Sequence, residues 1–135
     1  MPSVCRTLVE SDMETAHRLA ELDRAALETI RSISDGSDDL LRQVVCLFVD
    51  STPALLEDIE AGLKNGEMDR LRMAAHTLKS SAANLGATVL GDMARQLETA
   101  ARAGILGQGL PSFPSVKEEF EAACRALDAL LGEAG

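Results

Sequence analysis

The chain carries two histidines. One of them, His76, sits among residue types suited to carrying a phosphoryl group. The stretch reads Ala75-His76-Thr77-Leu78-Lys79-Ser80-Ser81-Ala82-Ala83-Asn84-Leu85-Gly86. At about 100° per residue, Leu71, Ala75, Leu78, Ala82 and Leu85 fall in one apolar stripe of a helix. His76 lies about 140° from the centre of that stripe, on the side of solvent. Arg72, Lys79, Ser80 and Ala83 share its side, because residues three or four apart are neighbours on a helix. Free imidazole titrates near about pH 6.5, so at neutral pH it offers a nucleophilic nitrogen. A phosphoryl group adds close to two negative charges, part of which Lys79, one turn away, can offset. Small side chains at Ser80 and Ala83 leave room for a partner's active site to approach the ring.

Other chemistries lack their residues. A nucleophilic serine or cysteine needs a base held by a third group, and no such arrangement is legible. A metal site needs further ligands at helical spacing, but the positions around His76 are Arg72, Met73, Lys79 and Ser80. No carboxylate lies within a turn of His76 to orient the ring, which disfavours a hydrolase using it as base. No glycine-rich phosphate loop is present, so the chain lacks the means to draw phosphate from ATP.

Composition narrows the class. Of 135 residues, 46% are hydrophobic but only 2% aromatic, so the core is to be built from Leu, Ala, Val, Ile and Met. No alternating strand pattern occurs, and an all-α domain is expected. No apolar run is long enough for membrane insertion, and no secretory h-region follows Met1. Cys5, Cys46 and Cys124 are too scattered for a disulfide framework or a zinc site. Cys46 and Cys124 fall in apolar helical patterns and are expected to be buried, which fits a cytoplasmic location. A net charge of −9 argues against nucleic acid as a partner. The 22 acids are unevenly spread, and none lies from Arg70 through Gly91. The His76 helix is therefore expected to be a locally cationic surface on an acidic protein.

The elements that must position His76 follow from periodicity and punctuation. Residues 1–20 read as an N-terminal extension or linker, with His17 incidental, and residues 21–132 as the helical domain. A first helix is expected from Asp23 to Ile33, with Leu27 and Ile30 inward. Ser37 caps a second, with Leu41, Val44, Val45 and Phe48 inward. Ser51-Thr52-Pro53 predicts a kink or break, followed by a restart through Leu55, Leu56, Ile59 and Leu63 to Asn65-Gly66. The His76 helix runs from about Met68 to Leu85, with Gly86 as its terminator. A very short link makes the next helix, near Thr88 to Arg102, its antiparallel partner. That helix is expected to turn Val89, Leu90, Met93, Leu97 and Ala100 inward. Ser115 and Glu118 form an expected capping box for a last helix carrying Val116, Phe120, Ala123, Leu127 and Leu130. The sum is an up-down antiparallel four-helix bundle with an additional N-terminal helix. Hairpin geometry places Arg95 and Gln96 at the border of a docking surface around His76.

The segment His76 to Gly86 closely resembles the signature of histidine-containing phosphotransfer (HPt) domains. That signature is a His, a Lys three residues on, a small residue after it, and a Gly ten residues after the His. The resemblance extends over about residues 23–131. It implies a four-helix bundle whose exposed His shuttles phosphoryl groups between receiver aspartates. His76 resembles the phosphorylated nucleophile and Lys79 the cation that orients and neutralises the phosphoryl group. Ser80 stands where many relatives have Gly, and Gly86 resembles the helix terminator. Arg72 is added from helix phase. With Ser80 and Ala83, Gly86, Arg95 and Gln96 complete the expected partner-docking set. The implied partners are response-regulator receiver domains and a hybrid sensor histidine kinase. No cofactor is expected on this chain, because the receiver supplies Mg²⁺, and a monomer is expected. The rival reading is a helical interaction module that binds receivers without transfer.

Overall fold

The computed structural model describes residues 19–107 and 109–134. Cys5, His17 and most of the N-terminal extension lie outside them. Five helices are present among the described residues: α1 (Arg24–Ile33), α2 (Asp39–Asn65), α3 (Met68–Asn84), α4 (Thr88–Ala103) and α5 (Phe113–Ala134). There is no strand among these residues, only an isolated bridge between Leu22 and Ala87. No helix among them is long and apolar enough to cross a membrane.

The bundle is α2 to α5. Each packs on the next, α5 closes back on α2, and α3 with α4 forms the most extensive pair. Short connections at Gly66-Glu67 and Leu85-Gly86-Ala87 leave α2, α3 and α4 alternating in direction. α1 packs on α2 and α3. Leu41, Ile59, Leu71, Leu78, Leu90, Leu97, Val116 and Leu127 are fully buried. Each contributes roughly 1.5–3 kcal/mol of hydrophobic free energy. Two of the three phenylalanines, Phe48 and Phe120, meet edge to face at 5.3 Å and tie α2 to α5. Gly62 lets α2 close on α3: a Cβ there would stand 2.6 Å from that of Leu71.

Four local expectations are corrected. Of the kink or break expected at Ser51-Thr52-Pro53, the break does not occur: helix α2 continues for 27 residues with Pro53 inside it. Phe48, Val49, Thr52, Leu56 and Ile59 are all buried on both sides of the proline. Their packing outweighs the hydrogen bond that proline forfeits. Val89 is not an inner residue but 45% exposed; the inner face of α4 is Leu90, Ala94, Leu97 and Ala101, with Glu98 beside them. Helix α5 begins at Phe113, two residues before the expected cap, and the hydroxyl of Ser112 accepts the N–H of Ser115. Cys124 is buried, but Cys46 is only half-buried.

The turn between α3 and α4 is pinned from outside. Gly86 has φ +74°, and its carbonyl accepts the N–H of Asp23 at 2.8 Å. A Cβ on Gly86 would lie 2.5 Å from the carbonyl oxygen of Asp23. Glycine is therefore required twice here, for the left-handed backbone and for the close approach of another chain segment.

Candidate functional site

The site is built across the α3–α4 hairpin. His76 lies on the outer face of α3, and its side chain is 55% exposed. Beneath it lies Glu98 of α4, only 4% exposed. The Glu98 carboxylate takes three partners. Lys79 Nζ reaches Oε1 at 2.7 Å, while His76 Nδ1 and the Arg102 guanidinium each reach Oε2 at 2.9 Å. A buried carboxylate tolerates its charge only when so compensated. The hydrogen bond from Lys79, reinforced by those from His76 and Arg102, outweighs burial and pulls the Glu98 carboxyl down to about 2.

The tautomer of His76 follows. An ionised carboxylate only accepts, so Nδ1 carries the proton and donates it to Glu98 Oε2. Nε2 is left with its lone pair and no protein partner among the described residues, on a ring more than half exposed. The arrangement is a fixed imidazole whose outer nitrogen is nucleophilic, with ammonium and guanidinium groups close by.

Two sequence expectations are corrected by this geometry. The ring does have a carboxylate, supplied by the neighbouring helix rather than by its own. The surface is also less cationic than the acid-free stretch suggests. Lys79 is engaged by Glu98, and Arg70 is engaged by Asp58 at 2.8 Å and Glu67 at 3.7 Å. Arg72 is half-buried and makes no ion pair among the described residues, so it stays available as a cation. Chain order hides such pairings because cross-helix neighbours are far apart in sequence.

The other expected site residues divide. Ser80 and Ala83 are exposed on the face of α3 that carries His76. Arg95 is exposed but paired with Asp92 at 2.7 Å, and the half-buried Gln96 donates to the same carboxylate at 2.8 Å. These contacts, Arg95 first, hold the Asp92 carboxyl below its usual range. Gly86 is buried against Asp23, so it shapes the hairpin and offers a partner no surface. Met73, one turn before His76, is 62% exposed and adds apolar area to the same face.

Sequence reasoning missed Glu98, Arg102 and Met73. A signal for Glu98 was present: His76 and Glu98 are equidistant from Ala87, at the turn of the hairpin. Residues placed so are opposite each other across an antiparallel pair. An acid flanking the stripe of Leu90, Ala94, Leu97 and Ala101 opposite a histidine is a partner for it. Among the described residues no group of three or more His, Cys, Asp or Glu converges as a metal site.

The family model of the Hpt domain matches residues 43–132, two thirds of the chain. The chain belongs to the Hpt domain family. The match spans most of α2 and all of α3 and α4, so the His76–Glu98 pair lies inside it. Hpt domains are phosphocarriers with a phosphotransfer role in phosphorelays, and they interact with the receiver domains and kinases of two-component systems. No curated protein and no solved structure matches significantly.

Proposed function

We propose that this Hpt domain relays a phosphoryl group between receiver aspartates through Nε2 of His76. The observation that carries the reading is the half-exposed imidazole whose Nδ1–H is held by the buried Glu98. Nε2 attacks the phosphorus of a receiver's aspartyl phosphate, the N–P bond forms, and the acyl P–O bond breaks. The receiver's carboxylate leaves with the electron pair. Lys79 turns from Glu98 toward the incoming phosphoryl oxygens, and Arg102 stays on Glu98 to balance its charge. Arg72 adds a second cation on the same helix. Ser80 and Ala83 let the receiver's acidic pocket close over the ring, while Arg95 and Gln96 border the docking surface. Mg²⁺ belongs to the receiver, and this chain contributes the nucleophile and the countercharge. A hybrid sensor histidine kinase, through its receiver, is the proposed source of phosphate. The same reading has the carrier acting as a monomer in the cytoplasm.

Incubation with a receiver phosphorylated with labelled phosphate tests this. Label is expected on the parent protein and not on His76→Gln. Equal labelling of the variant refutes the site. Receiver binding with no transfer to the parent refutes the relay in favour of a binding-only module.

A further inference from the structure

The Glu98 carboxylate touches Nδ1, the ring nitrogen that does not carry the phosphoryl group. Its influence therefore persists after Nε2 is occupied. When Nε2 takes phosphate with Nδ1 still protonated, the ring becomes a phosphoimidazolium cation. If that proton is lost, the ring becomes a neutral phosphoimidazole. The two forms differ in what must leave when the phosphoryl group moves on. From the cation, the N–P electron pair departs on neutral imidazole. From the neutral form it departs on imidazolate, a far stronger base and a far worse leaving group.

We infer that Glu98 retains the Nδ1 proton in phospho-His76, so that the carrier gives up its phosphoryl group as readily as it accepts it, without proton exchange. The inference rests on the phosphoacceptor role of His76. In the forward step the Nε2–P bond forms and the receiver's P–O bond breaks. In the return step the Nε2–P bond breaks with its electron pair on Nε2, as a receiver carboxylate oxygen bonds to phosphorus. The proton stays between Nδ1 and Glu98 Oε2 throughout.

The charged groups on the carboxylate are His76 and Lys79 from α3 and Arg102 from its own helix. Two of these are cations, and Arg102, which stays on Glu98 Oε2 beside Nδ1, opposes positive charge on the ring once the carboxylate is neutralised. An opposite charge in hydrogen-bond contact moves a titration midpoint by about 1–3 pH units. Glu98→Gln separates charge from geometry. Its amide oxygen can still accept from Nδ1, but its charge is gone, leaving the ring beside an Arg102 that has lost its carboxylate.

The test loads ring-¹⁵N-histidine protein with phosphoramidate, a small-molecule phosphoryl donor, and follows the Nδ1 resonance of phospho-His76 against pH. Return transfer to an unphosphorylated receiver is timed over the same range. The expected result is a midpoint at least about one pH unit higher in the parent than in Glu98→Gln. The ratio of parent to variant return rates then rises about tenfold per pH unit between the two midpoints. The receiver's own pH dependence cancels in that ratio. Coincident midpoints, or a ratio flat with pH, overturn the inference. If Glu98→Gln fails to fold, the parent alone decides: Nδ1 must keep its protonated resonance into mildly alkaline solution. Phosphoramidate loading needs no receiver, so failed receiver transfer refutes the relay and leaves this measurement decisive.

Discussion

Replacing Glu98 by Gln removes one buried negative charge while nearly preserving side-chain shape, so its effect on folding can be worked from the structure. Contact with Lys79, His76 and Arg102 lowers the carboxyl from the ordinary 4.5 to about 2. Each pH unit corresponds to about 1.4 kcal/mol, so the full linkage is about 3 kcal/mol. The partner side chains Lys79 and Arg102 are 37% and 61% exposed. Solvent screening therefore reduces the figure to about 2 kcal/mol. The sign is that of a depressed acid. The stabilisation is complete above the unfolded value and is lost as pH falls from about 5 to about 2. Denaturant unfolding of parent and Glu98→Gln at several pH values is the assay. The gap between them is expected to narrow by about 1–2 kcal/mol from about pH 7 to about pH 3. Stability curves that run parallel across that range would refute the charge network as a source of folding energy.

Gly86→Ala forces a Cβ to 2.5 Å from the Asp23 carbonyl in a left-handed backbone; a loss of about 2 kcal/mol or more by thermal or denaturant unfolding is expected. Pro53→Ala returns a backbone N–H to an exposed position of α2 and is expected to stabilise by about 1–2 kcal/mol, after allowing for the looser unfolded chain. Ser80→Leu and Ala83→Leu put bulk on the face of His76 at exposed sites. Stability is expected to hold within about 0.5 kcal/mol while the rate of transfer from a phosphorylated receiver falls at least about tenfold.

The sequence by itself determined the features that depend on near neighbours in the chain. Helical periodicity put Leu71, Ala75, Leu78 and Ala82 in the core and His76 outside it, and the structure agrees. The terminators Gly66 and Gly86 are legible for the same reason: a left-handed residue ends a helix whatever the fold around it. Tertiary structure decided what depends on two helices at once. Pro53 reads locally as a break, yet packing on both sides of it holds α2 in one piece. Val89 fits the inner stripe by spacing, but the rotation of α4 against α3 turns it outward and brings Glu98 inward. Lys79 and the ring of His76 look like a cation beside an unsupported imidazole until the hairpin register slides a carboxylate beneath both. Helix phase is fixed by the peptide backbone, whereas cross-helix register is fixed by the turn and by how side chains interlock. For that reason the nucleophile could be read from the chain, and the group that sets its tautomer required the fold.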